Sequence, residues 1–145
     1  MVNILIVGAG KGIGLETARL LAKENLYTIS RNATSELEEL KTQFFEMDVA
    51  KNDLSDLSLP EELHGLVFCP GSINLRPFNR LTEEDFLADF NQNFIGAVRI
   101  IQKALPALKK SKSASIVLFS TVAAKVGMPF HTSIAASKGA IEGFA

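Results

Sequence analysis

Short apolar runs alternate with stretches of helical period from the first residues of the chain. Val2 to Val7 is nearly all apolar and stops at Gly8, the pattern of a strand buried on both faces of a parallel sheet. Ile13, Ala18, Leu20, Leu21 and Ala22 follow at helical spacing and predict a first helix over 13–23. Leu26 to Ser30 reads as a second strand, Ser35 to Gln43 as a second helix and Phe44 to Val49 as a third strand. Asn52 to Leu63 is polar and carries Pro60, which predicts a loop with a helical turn. A fourth strand, Gly65 to Cys69, ends at Pro70-Gly71.

Thr82-Glu83-Glu84-Asp85 places an acidic side chain three residues after a threonine, as a capping box does. A long helix is expected from there to about Lys109, kinked or frayed near Pro106. Lys109, Lys110 and Lys112 read as its solvated cationic end. Phe86, Phe90, Phe94, Ala97 and Ile101 make one apolar stripe on it, and Leu87, Ile95, Val98 and Leu105 a second. A helix apolar on two sides is expected to cover something besides its own sheet. Ser115 to Ser120 predicts a fifth strand, followed by a loop with Gly127 and Pro129 and a last helix from about Thr132, still running at Ala145. This alternation predicts one doubly wound α/β domain over 1–145, with a parallel sheet and right-handed crossovers.

Composition narrows the function classes. The 145 residues suit one domain, and 47% apolar content suffices for a core. Fifteen Lys and Arg against sixteen Asp and Glu leave a net charge of −1, without the basic excess that nucleic acid or an anionic membrane attracts. No apolar run reaches the roughly 18 residues of a membrane span, and no signal-peptide pattern opens the chain. Cys69 is the sole cysteine and reads as a small buried hydrophobe; no Cys/His cluster has zinc spacing, and His64 reads as a surface residue. The expectation is a cytoplasmic protein whose partner is a small molecule.

Gly8-Ala9-Gly10-Lys11-Gly12-Ile13-Gly14 lies between the first strand and the first helix. Glycines there let the backbone turn tightly and approach a dinucleotide phosphate, which the free amides of the helix N-terminus then bind. No Gly-Lys-Ser/Thr ends the pattern, which excludes a P-loop. After the second strand stands Ser30-Arg31-Asn32, with no acid to bond a ribose 2′-hydroxyl. Arg31 and Lys11 together favour a 2′-phosphate, hence NADP(H) over NAD(H).

In these residues and their order, the whole chain resembles the short-chain dehydrogenase/reductase family. Gly8, Gly12 and Gly14 match its three-glycine motif, and Asp48-Val49 its acid-and-apolar pair at the adenine. Asn93, followed by Gly96, matches the helix asparagine of the family's proton relay. Ser115 to Ala124 resembles the strand of its active-site serine, and Ser137-Lys138-Gly139-Ala140 the segment around its lysine. The resemblance implies a Rossmann-like sheet in order 3-2-1-4-5 and hydride transfer between NADP(H) and a carbonyl or alcohol substrate. It also implies a homodimer or homotetramer paired through the long helix. Implied to bind cofactor are Gly8, Gly10, Lys11, Gly12, Ile13, Gly14, Ser30, Arg31, Asp48, Val49, Gly71 and Lys138; implied to be catalytic are Asn93, Thr121 and Lys138.

Three departures stand out. The family's tyrosine, four residues before the lysine, is Ile134 here, and the only tyrosine is Tyr27. Thr121 occupies the serine position, thirteen residues before Ile134, with Ser120 beside it as the other hydroxyl; His131 is a further titratable group. The family's Asn-Asn-Ala-Gly segment is Phe68-Cys69-Pro70-Gly71, which keeps the glycine. Family members continue through two more strands and a closing loop, so the expected domain lacks those elements. The alternative to an oxidoreductase is a module that holds NADP(H) without chemistry.

Overall fold

The computed structural model describes residues 1–145. Its five strands are β1 (Asn3–Val7), β2 (Asn25–Ser30), β3 (Gln43–Glu46), β4 (Gly65–Phe68) and β5 (Ser115–Leu118). All pair in parallel, in the order β3-β2-β1-β4-β5. The helices are α1 (Gly12–Leu20), α2 (Ser35–Glu38), α3 (Glu83–Phe90), α4 (Gly96–Lys110) and α5 (Thr132–Phe144). The Rossmann-like order is the one the sequence implies.

β1 is central because it is apolar on both faces. Leu5 and Val7 enter a core with Ile29, Leu66 and Phe68 of neighbouring strands and Ala97, Ile100 and Ala104 of α4. Ile6 points the other way, to Leu15 and Ala18 of α1 and Leu37 of α2. Strand order reverses at β1, whose neighbours are β2 on one side and β4 on the other. Connections leaving the carboxyl ends of β1 and β4 therefore diverge and open a crevice between them.

Several boundaries differ from the expected ones. The first helix stops at Leu20, and β3 ends at Glu46 rather than Val49. The second helix lasts four residues, because Lys41 turns left-handed (φ 51°) and Gln43 is taken into the ladder opposite Tyr27. The segment 52–63 has turns but no helix, and is anchored by buried Leu54, Leu57 and Leu63. The capping box forms: Thr82 Oγ1 accepts from Asp85 N at 3.3 Å, and Thr82 N donates to Asp85 Oδ2 at 3.0 Å.

The expected irregularity at Pro106 is misplaced. Helix α4 runs through Pro106 to Lys110, and the break in regular helical bonding is a π turn at Asn91–Ile95. Pro106 is exposed, so its missing N–H falls on the solvent face. A π turn closes i→i+5 bonds, so a stripe spaced i,i+4 cannot keep one face across it. Accordingly the buried line on α4 is Ala97, Ile100, Ala104, Ala107 and Leu108, while Leu87 and Leu105 are exposed. Phe94 and Ile101 pack at the core's margin. No helix is long and apolar enough to cross a membrane.

Helix α1 starts so close to the end of β1 that a Cβ on Gly14 would lie 2.2 Å from the Gly8 carbonyl oxygen. Gly14→Ala is therefore expected to destabilise the fold by on the order of 3 kcal/mol in equilibrium urea unfolding. Gly139, exposed in α5 with open space around its Cα, supplies the control: Gly139→Ala should stabilise by about 1 kcal/mol.

Candidate functional site

A cleft of about 450 Å³ lies at the carboxyl ends of β1 to β4. All the cofactor residues expected from sequence line it except Lys138. Asn32, Thr34, Met47, Pro70 and Gln92 join them without having been singled out. Gly12 adopts φ +57° with nothing within 4 Å of its would-be Cβ, so the turn presents bare backbone to open space. Lys11 at the N-cap of α1 makes no side-chain cap bond, and the first turn has no acid. The amides that open α1 thus keep their partial positive charge for an anion.

Short side-chain bonds hold the rim. Thr34 Oγ1 donates to the Gly10 carbonyl at 3.3 Å and Ser30 Oγ to the Asn32 carbonyl at 2.5 Å. Asp48 Oδ1 accepts from Ala50 N at 3.0 Å, and Arg99 donates to the Val49 carbonyl at 2.7 Å. Lys11 and Arg31 are exposed and have neither a hydrogen bond nor an ion pair from their side chains. They are two free cations at the mouth.

None of the expected catalytic residues lines this cleft, although Asn93 and Lys138 reach its Gly71. Lys138 on α5 is 8% exposed, without a hydrogen bond or ion pair, and burial lowers its pKa below the ordinary lysine value. Its Nζ and Asn93 Oδ1 approach Gly71 from one side, at 4.0 and 3.2 Å from a would-be Cβ. Asn93, fully buried in the π turn, donates from Nδ2 to the Asp89 carbonyl (2.8 Å) and to Ser72 Oγ (3.1 Å). Its Oδ1 accepts from Ser72 N at 3.4 Å, and it is Gln92 that faces the cleft. Thr121 Oγ1 accepts from Ala123 N at 3.3 Å and caps a 3-10 turn over Val122–Ala124. Ser120 instead donates to Glu142 Oε1 at 2.6 Å. Ile134 is 3% exposed, and His131 Nδ1 lies 2.7 Å from the Pro129 carbonyl within its own loop. His64, expected at the surface, is only partly exposed, and its Nδ1 accepts from Asn3 N at 3.1 Å.

Asp89 escaped the sequence reading. It is 3% exposed, with Ser72 Oγ on Oδ1 and Ser133 Oγ on Oδ2, both at 2.6 Å. One carboxylate thereby ties α3 to the loop after β4 and to the start of α5. The only available signal is an acid four residues before Asn93, and it does not stand out because Asp85, Gln92 and Asn93 share its helical side.

A family model described as short chain dehydrogenase matches residues 2–145. The 3-ketodihydrosphingosine reductase of Bacteroides thetaiotaomicron is 26% identical, over 97% of this chain and 55% of that protein. Human retinol dehydrogenase 8 is 31% identical, over 98% of this chain and 51% of that protein. The chain thus spans about half the length of the curated relatives it matches. Among solved structures, a short chain dehydrogenase from Shigella flexneri covers 99% of this chain and 64% of its own, with a TM-score of 0.88 and 23% identity. A second from Shigella flexneri 2a, complexed with NADP, covers 99% and 68% with the same TM-score and identity. At that identity these structures establish the fold.

Cys69 offers a chemical handle on the cleft. Burial pushes its thiol up to about 11, opposed by the Lys138 charge. At pH 8 iodoacetamide should alkylate it roughly a hundredfold more slowly than an ordinary thiol, as mass spectrometry would follow. Lys138→Met removes a charge that favours the thiolate, so it should slow alkylation further; unfolding in urea should erase both effects.

Proposed function

The chain belongs to the short-chain dehydrogenase family, and on that premise we propose that its cleft holds NADP(H) for hydride transfer to or from a carbonyl or alcohol carbon. The carrying observation is the uncapped start of α1 behind an open glycine turn, flanked by two unpaired cations. The residues present fit the cofactor. The amides of Gly12, Ile13 and Gly14 suit a pyrophosphate, and Lys11 and Arg31 a 2′-phosphate. Gly8, Gly10 and Ser30 shape the floor, Asp48 and Val49 receive the adenine, and Gly71 and Lys138 face the nicotinamide ribose. Two relatives are named for a 3-keto compound and for retinol, a ketone and an alcohol.

NADPH, when bound, would supply the hydride to a carbonyl and NADP⁺ would accept it from an alcohol; the protein must orient the substrate and handle the proton. Asn93 and Lys138 border Gly71, and the Thr121 hydroxyl is the group assigned to the substrate oxygen. Isoleucine at 134 has no proton to give, and a positioned general acid is worth roughly 10²–10⁴-fold. That buried side chain favours a second reading, in which the chain binds NADP(H) and performs no chemistry. The exposed Leu87 and Leu105 support self-association through α3 and α4, as a homodimer or homotetramer.

NADPH should bind at least about tenfold more tightly than NADH, the worth of one charge-assisted contact, and Arg31→Asp should reverse the order. Fluorescence titration decides it, and equal affinities in the unsubstituted chain would refute the NADP(H) assignment. Reduction of a model carbonyl should not exceed the blank. In a chain carried through the family's two further strands, Ile134→Tyr should raise it by about two orders of magnitude. Turnover without that change would make His131 the first residue to replace.

A further inference from the structure

We infer that Lys138 is a site of covalent modification by small aldehydes, its Nζ condensing with the carbonyl carbon to form an imine. This chemistry goes beyond hydride transfer and needs no dinucleotide. Lys138 is the only buried lysine of the chain, 8% exposed on α5, and it has neither a hydrogen bond nor an ion pair. Every side-chain nitrogen or oxygen that is fully sealed from solvent has a hydrogen-bond partner, so this unpartnered nitrogen keeps an opening. Gly71 borders it, with Nζ 4.0 Å from a would-be Cβ, and has no side chain to screen it. Gly71 also lines the cofactor cleft, as does Cys69, whose charge acts on the same amine. The amine therefore stands behind an unscreened wall residue of a cleft of about 450 Å³, which has room for a small aldehyde.

The neighbours leave the amine free to react. Ile134, one turn earlier on the same side of α5, is buried and has no atom to bond it. Asp89, the buried acid of α3, has both oxygens taken by Ser72 and Ser133. Asn93 Oδ1 accepts from Ser72 N instead. The Cys69 thiol, pushed up by burial to about 11, is neutral near pH 8 and supplies no counter-charge. Burial among these groups lowers the Lys138 pKa, which raises the share of neutral amine. A lysine desolvated in this way is the kind that forms Schiff bases with carbonyl compounds. The step balances without a redox partner. The amine lone pair attacks the carbonyl carbon to give a carbinolamine. The carbonyl oxygen then leaves as water with the two amine hydrogens, and C=N replaces C=O.

Butanal tests this on the folded, unsubstituted chain at pH 8, with sodium cyanoborohydride present to reduce the imine to a stable secondary amine. Peptide mass mapping follows each lysine, and Lys23 and Lys51, exposed and likewise unpaired, are the internal standards. Lys138 should be alkylated at least about tenfold faster than either, and guanidinium chloride should abolish the difference. Without the reductant no adduct should survive gel filtration, because an imine hydrolyses. Lys138 reacting no faster than the standards would overturn the inference. So would a preference that persists in the unfolded chain, which would owe nothing to the site. An adduct that survives without reductant would also overturn it, since the bond formed would not be an imine. No dinucleotide takes part, so a failure of the chain to bind NADP⁺ would strike the cofactor reading and leave these outcomes as they are.

Discussion

Helix α1 can begin where it does only because nothing but hydrogen stands between Gly14 and the carbonyl of Gly8. Any larger side chain would push the helix off the end of β1. With it would go the free amides that open α1 onto the crevice. β1 is the one place where this contact pays off, because it is hydrogen-bonded on both sides and buried on both faces, and so is rigid. The reversal of strand order there leaves room for a ligand, and the two-glycine contact aims the helix at that room. Arg31 and Asp48 reach the same cleft because β2 and β3 are in parallel register with β1 and end at the same level.

The second half of the site is organised by a different interaction. Asp89 is a buried carboxylate with no cation against it, satisfied by two hydroxyls from distant parts of the chain. A buried acid is costly when unpaired, so the Ser72 and Ser133 bonds are what keep α3, the loop after β4 and α5 in mutual register. Asn93 adds to the same network and gains its inward position from the π turn. Its side chain is consumed by these bonds. Lys138 beside it has no hydrogen-bond or ion-pair partner, which leaves an amine next to Gly71, a residue that lines the cleft.

What could be read from the sequence follows the range of the forces involved. Strands β1 to β5, the capping box at Thr82 and the glycine turn rest on neighbours in sequence, and they emerged within a few residues of their observed limits. The cleft's lining followed because parallel strands of a known order bring their ends together. The Asp89 network did not, since Ser72 and Ser133 lie 17 and 44 residues from it and carry no periodic signal. The π turn has no such signal: proline marks position 106 for a kink, whereas the break occurs where Asn93 has polar partners to turn towards. Ile134 stands four residues before Lys138, a spacing legible in the sequence, yet its burial depends on how α5 packs on α3, which residue types alone do not specify.

The central claim is that the opening turn of α1 receives the cofactor's pyrophosphate. Backbone amide NMR of the chain titrated with NADP⁺ tests it most directly. The largest shifts are expected at Gly12, Ile13 and Gly14, with smaller ones at Arg31 and Asp48 and little change at Leu105 or Ile116. Shifts that leave Gly12, Ile13 and Gly14 unmoved while NADP⁺ binds elsewhere, or no binding at all, would contradict it.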